Sequence, residues 1–235
     1  MRSPHGSDGA VIYAAQESKV LAAAAAPLTL QVRELGLIEY GDAWRAMREF
    51  TAQRSPDTAD ELWLAQHPPV YTVGIAGREE HLPHTASAIP VIRTDRGGQI
   101  TYHGPGQVIA YLLLDMRRRG LSVRALVRLM EGAVVDLLTE FGIKAAGSTE
   151  APGVYVDGAK IAALGLRIRR GCCYHGIALN VNMDLAPYRS IDPCGYRGLA
   201  VTQTRALGID LAPTALSKLL AGHLAARLAS AAAGI

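Results

Sequence analysis

The hexapeptide IDPCGY, residues 191–196, sets a lone thiol, Cys194, between a proline and a glycine, an arrangement that suits a fixed, open turn. An isolated thiol has a pKa near 8.5, so only about 3% is thiolate at neutral pH, and the thiolate is the nucleophile. A nearby ammonium favours the charged form, and about 1.4 kcal/mol of that preference makes the thiol ten times more acidic. A thiolate acylated in this way can pass its acyl group to an amine while a neutral lysine accepts the amine's proton. Lys160, His103 and His175 are all partners the chain offers, and spacing does not choose among them. The plainer reading of Cys194 is a small residue in a turn, because buried free cysteines usually pack as hydrophobes.

Lys160 stands in GAKIAALG, 158–165, directly after an Asp157-Gly158 pair. If that strand alternates regularly, Lys160 shares a face with Ala162 and Leu164, so its ammonium approaches a partly apolar surface. A buried lysine requires a partner, whereas a lysine that snorkels from a strand to water requires none. A second chemically dense stretch is RTDRGGQITYHGPGQ, 93–107, with four glycines among two arginines and His103. Paired glycines let backbone N–H groups approach a ligand that a Cβ would exclude. The stretch lacks the lysine-serine/threonine ending of a P-loop, and no helical pattern follows it as in a dinucleotide fingerprint. His81 and His84 have a spacing zinc could use, but no second ligand pair accompanies them, so no metal is expected.

The elements that must position these groups are legible in outline. Trp44, Met47 and Phe50 fall three apart and predict a helix over 42–54. Strands are expected at 70–74, 91–94, 99–103 and 108–115, the last apolar nearly throughout and therefore buried on both faces. Residues 122–141 keep helical spacing, with Ser122 to cap and Gly142 to terminate. Asp157-Gly158 marks a tight hairpin, residues 174–184 read as another strand, and a last helix begins near Pro213. Strands, one long helix, hairpin strands and a terminal helix lack βαβα regularity, so the expected class is α+β, a mixed sheet with flanking helices.

The whole chain constrains its partners. Its 235 residues suffice for a substantial core, and no linker divides them, so residues 28–235 are expected to form one domain behind a low-complexity extension, 1–27, open to disorder. Twenty-four basic against 21 acidic residues give +3, too slight an imbalance to require nucleic acid or an anionic membrane; the run RIRR, 167–170, reads as a solvated face. Three cysteines, two of them adjacent (Cys172 and Cys173), fit neither a disulfide framework nor a zinc knuckle, which points to a reducing, cytoplasmic setting. No apolar stretch reaches the roughly 20 residues of a membrane helix.

Four segments together resemble the octanoyltransferase family: RGGQITYHGPGQVIAYLLLD at 96–115, GVYVDGAKIAALGLRIRRG at 153–171, HGIALNVNMDL at 175–185 and IDPCGYRGLAVT at 191–202. The resemblance implies the catalytic fold shared with lipoate and biotin protein ligases. It also implies an acyltransferase that takes octanoate from octanoyl-acyl carrier protein, holds it as a cysteine thioester and passes it to a lysine of lipoyl domains, the first step of protein lipoylation. By that resemblance Cys194 is the nucleophile and Lys160 the residue that lowers its pKa. The acyl-binding residues are Arg96, Gly97, Gly98, Gln99, Ile100, Thr101, Tyr102 and His103, then Ala163, Leu164 and Gly165, then Gly176, Ile177 and Ala178. No cofactor is implied. The rival readings are a cysteine thioesterase, a related lipoyl amidotransferase or ligase, and a non-enzymatic acyl-binding protein. The first 27 residues and the Cys172-Cys173 pair have no role in the family pattern.

Overall fold

The computed structural model describes residues 28–83, 88–193 and 198–233; the N-terminal extension lies outside them. Strand β6, Gln107–Asp115, carries the apolar run that the sequence marks as buried on both faces, and Val108 to Leu114 are all under 5% exposed. Its alternation divides the molecule. Val108, Ala110, Leu112 and Leu114 point into one core with helices α2, Val123–Glu140, and α3, Pro213–Ala233. Ile109, Tyr111 and Leu113 point into the other, against Ala43 and Met47 of helix α1, Tyr40–Gln53. A side-chain period of two is therefore enough to build helical layers on both faces of one sheet.

The sheet has seven strands in the order β1-β2-β6-β10-β9-β8-β7. These are β1 (Leu30–Leu37), β2 (Asp60–Gln66), β7 (Ala146–Gly147), β8 (Gly153–Val156), β9 (Ala159–Arg169) and β10 (Cys172–Asn180) around β6. Only β1 and β2 run parallel; every other pair is antiparallel. A smaller sheet, β4-β3-β5, joins Val91–Arg93, Val70–Val73 and Ile100–His103 and packs on a cluster containing Met183, Tyr188 and Ile191. The mixed α+β architecture is as expected. Ser122 caps α2 by accepting from Ala125 N–H, and Gly142 at φ +74° ends it while Ile143 N–H returns to Leu138 O at 3.0 Å. Asp157 (φ +47°) and Gly158 (φ +79°) form the anticipated hairpin.

Three strands, β1, β2 and the two-residue β7, have no counterpart in the sequence pattern. β2 begins with the charged pair Asp60-Glu61, yet both are buried. Asp60 receives Arg54, Arg118 at 2.8 Å and Arg119 at 2.5 Å, and Glu61 meets Arg33 at 2.8 Å. The strand expected over 174–184 runs from Cys172 to Asn180 and then leaves the sheet. Cys173 is fully buried and its thiol points at Leu112 O, 3.3 Å away; burial raises its pKa to about 12, which makes it a packing residue.

Candidate active site

Lys160 does not face where regular alternation puts it. β8 and β9 pair Gly153 with Ala163 and Val154 with Ala162, but Tyr155 with Lys160, so Ile161 is skipped as a β-bulge. Directly opposed residues share a face, and Val154 and Tyr155 point to opposite faces. The extra residue therefore turns Lys160 away from the Ala162 side and onto the face of Gly153 and Ala163. Ile161 joins Val154 and Ala162 in the helical core instead. This corrects the shared face expected for Lys160, Ala162 and Leu164.

The lysine is 3% exposed. Its Nζ donates to Pro152 O at 3.2 Å and lies 5.1 Å from the centre of the Tyr155 ring. Gly153 makes this possible: a Cβ there would sit 2.9 Å from Lys160 Cε. The lysine backbone has a second task. Lys160 N–H donates to Ala200 O at 2.8 Å and Lys160 O accepts from Thr202 N–H at 3.0 Å, forming a parallel bridge with Val201.

Cys194 itself lies outside the described residues, as do its three following neighbours and His84. Both limbs that flank it are described. The incoming limb is tied by Asp192 Oδ2, 3.2 Å from His81 Nδ1, and by Ile191 N–H to Tyr188 O at 3.4 Å. The outgoing limb is the one paired to Lys160. The fold thus bridges Lys160 to Val201, which stands 41 positions away in the chain and seven after Cys194.

A cavity of about 500 Å³, counted to its open mouth, lies on the α1 side of the sheet. Arg96, Gly98, Gln99, Ile100, Thr101 and His103 line it together with Ala163, Leu164, Gly165, Gly176, Ile177 and Ala178. Three sequence segments singled out separately therefore meet on one surface. Gly97 lies on a neighbouring groove, and Tyr102 turns into the small-sheet cluster with Tyr71 and Tyr188. The cavity floor has no signal in the sequence: it consists of Tyr40, Ile109 and Tyr111, all under 5% exposed. Their placement follows from register. Ile109 opposes Ala178 and Tyr111 opposes Gly176 across β6 and β10. A Cβ at Gly176 would lie 2.0 Å from Ala110 O, so glycine lets the two strands close.

Three histidine rings pack against this floor. Burial, with His67 close by and Gln107 opposing, lowers His103 to about 3; burial lowers His67 to about 4 and also lowers His175. All three rings are neutral at pH 7. His103 Nδ1 meets Gln107 Oε1 at 2.8 Å and its Nε2 lies 3.2 Å from Thr72 Oγ1, which fixes a ring with hydrogen on Nδ1. Asp95, adjacent to Arg96 and the glycine pair, is another residue the pattern does not isolate. Desolvation opposes its charge, but donors from His175 (3.1 Å), Tyr174 and Trp44 (2.7 Å) hold the carboxyl well below its usual range.

A single line of donors joins the cavity to the outgoing limb. Arg96 donates to Thr72 Oγ1 at 2.8 Å, Thr72 to His103, and His103 to Gln107. Gln107 Nε2 donates to Asn180 Oδ1 at 2.9 Å, and Asn180 Nδ2 to Thr202 O at 3.0 Å. Bonds running in one direction polarise one another. Among the described residues, no group of three or more potential metal ligands occurs, and no helix is long and apolar enough to cross a membrane.

Comparison with known proteins agrees with this arrangement. Residues 39–222 match the lipoyl protein ligase A/B catalytic domain. An octanoyltransferase of Nitrosospira multiformis is 62% identical over 202 residues, covering 86% of this chain and 94% of the relative. The chain belongs to the octanoyltransferase family. As a member it is an acyltransferase of protein lipoylation. Its fold is shared more widely: a putative lipoate protein ligase from T. acidophilum with bound lipoic acid superposes with a TM-score of 0.68 at 18% identity, over 85% of this chain and 86% of that one. Biotin protein ligase from Aquifex aeolicus gives 0.51 at 12%, over 87% and 71%.

Proposed function

We propose that this octanoyltransferase accepts octanoate from octanoyl-acyl carrier protein as a thioester on Cys194, and transfers it to a lysine of a lipoyl domain with Lys160 as the partner of the thiol. The observation that carries the reading is the pair of backbone hydrogen bonds between Lys160 and the limb that leaves Cys194. A buried ammonium beside that limb favours the thiolate. The thiolate attacks the donor's carbonyl carbon and a new C–S bond forms; the carrier's sulfur departs with the electron pair of the bond that breaks and takes a proton from the Lys160 ammonium, which leaves the carrier as a thiol and the lysine neutral. The acceptor amine then attacks the same carbon, the Cys194 thiolate is expelled, and neutral Lys160 takes the amine's proton. The cavity supports an eight-carbon chain, because its walls at Ala163, Gly165, Gly176 and Ala178 are small and each buried methylene contributes about 0.8 kcal/mol.

The test is an intact mass after incubation with octanoyl-acyl carrier protein. One octanoyl group is expected on the wild type and none as a stable adduct at that position in Cys194→Ser. Adding an apo lipoyl domain then separates the outcomes: an octanoylated acceptor supports transfer, while free octanoate with an unmodified acceptor indicates a thioesterase. Lys160→Met should raise the apparent pKa of Cys194 alkylation. An unchanged pH profile would remove the lysine from this role.

A further inference from the structure

A second, larger depression adjoins the cavity, and Gly98, Gln99, Leu164 and Gly165 line both. The second is a groove of about 1000 Å³ between the Leu164–Leu166 part of β9 and Val123 and Val127 of α2. At its inner end lies Pro152, whose carbonyl holds Lys160 Nζ. β8 covers β9 only as far as Ala163; beyond it Gly97 N–H donates to Leu166 O at 2.8 Å, so the glycine segment forms one wall of the groove. The walls are apolar, and Val123 is 47% exposed. Glu150 contributes a carboxylate, also at the inner end.

The outer end has the opposite character. From Leu164 to Arg169, β9 runs about 17 Å at roughly 3.3 Å per residue. It ends at the β9–β10 turn, where Arg169 and Arg170 are exposed. Met116 N–H donates to Gly171 O, and the Arg117 side chain lies against Gly171, so the segment leading into α2 closes on this turn. Arg124, one residue beyond Val123, is exposed on the same approach. None of Arg117, Arg124, Arg169 and Arg170 makes an ion pair among the described residues. The basic run that the sequence marks as a solvated face thus follows the Leu166 end of the groove, while Pro152, whose carbonyl accepts from Lys160 Nζ, lines the other end.

We infer that this groove seats the phosphate-linked thiol arm of the acyl donor and that the arginines at its outer end dock an acidic carrier protein. The inference rests on the donor reading given above. An apolar channel ending in unpaired cations matches an amide-and-methylene arm attached through a phosphate, whereas the acceptor's lysine would carry its own positive charge past four arginines. Surface charges of this kind act mainly on encounter and fade with salt.

Two variants test it. Arg169→Glu/Arg170→Glu should raise KM for octanoyl-acyl carrier protein about tenfold more than KM for octanoyl-pantetheine, and the gap should shrink at high salt. Val123→Trp, at an exposed position, should slow acylation of the enzyme by both donors about tenfold while the pre-formed octanoyl-enzyme reacts with an apo lipoyl domain at the wild-type rate. An unchanged KM ratio in the arginine variant overturns the carrier surface. A Val123→Trp enzyme slowed only in the second half-reaction overturns the arm and gives the groove to the acceptor. A wild-type enzyme acylated by neither donor would instead refute the acyl-transfer reading itself.

Discussion

Ala178→Leu should convert the enzyme from octanoyl to hexanoyl preference. Ala178 is 5% exposed, lines the cavity, and faces Ile109 across the β6–β10 ladder, so the three added carbons enter the cavity at its floor. If they take the space of the last two carbons of an octanoyl chain, the loss is about 1.6 kcal/mol at about 0.8 kcal/mol per methylene. That equals about 15-fold in relative rate. A hexanoyl chain stops short of the new side chain and keeps its contacts. Overpacking costs a further ~1–3 kcal/mol of stability, but this falls equally on both substrates and cancels from their ratio. The assay is a competition between equimolar octanoyl- and hexanoyl-acyl carrier protein, read as the mass distribution of acyl-enzyme at short times. A folded variant, judged by its melting temperature, that keeps the wild-type distribution would show that the acyl chain does not run to this floor.

Asp60→Ala should lower stability by about 3–5 kcal/mol in chemical denaturation, since it leaves Arg54, Arg118 and Arg119 facing an emptied buried site. Stability should also fall on acidification. His67 and His103 have folded pKa values of about 4 and about 3, below the unfolded value near 6.5, so the unfolded chain binds more protons as pH drops through 6.5. Between about pH 7.5 and about pH 5 each ring should contribute about 2 kcal/mol of loss, and His67→Gln should flatten that slope in urea titrations at several pH values. Asn180→Ala removes the donor to Thr202 O and should cost about 1–3 kcal/mol. It should also slow Cys194 alkylation at neutral pH, because the limb bonded to Lys160 loses its second anchor.

How far the sequence carries depends on the kind of force that places each residue. α2 is readable because its spacing, cap and terminal glycine all lie within one segment. β6 is readable because burial on both faces needs no partner to be recognised. β2 is hidden by Asp60 and Glu61: charges normally mark surface, and the arginines that make their burial tolerable come from as far away as residue 119. β1 is hidden because it is an edge strand with Arg33 and Glu34 exposed. Within the site, the glycine-rich segment and the small residues of β9 and β10 announce a ligand surface, whereas Tyr40, Ile109 and Tyr111 reach the floor only through the packing of paired strands and α1. The orientation of Lys160 is not legible at all, since a bulge is a property of two paired strands and alternation is a property of one.

That extra residue at position 161 makes this stretch sensitive to counting as well as to chemistry. Substituting Ile161 by valine or leucine alters a core contact and leaves the lysine where it is. Deleting any one residue between Lys160 and Ala163 restores even parity and swings the ammonium through the sheet to the side of α2 and α3. Under the role proposed for Lys160, descendants of this chain can drift freely in side-chain size here, whereas a one-codon gap abolishes acyl transfer.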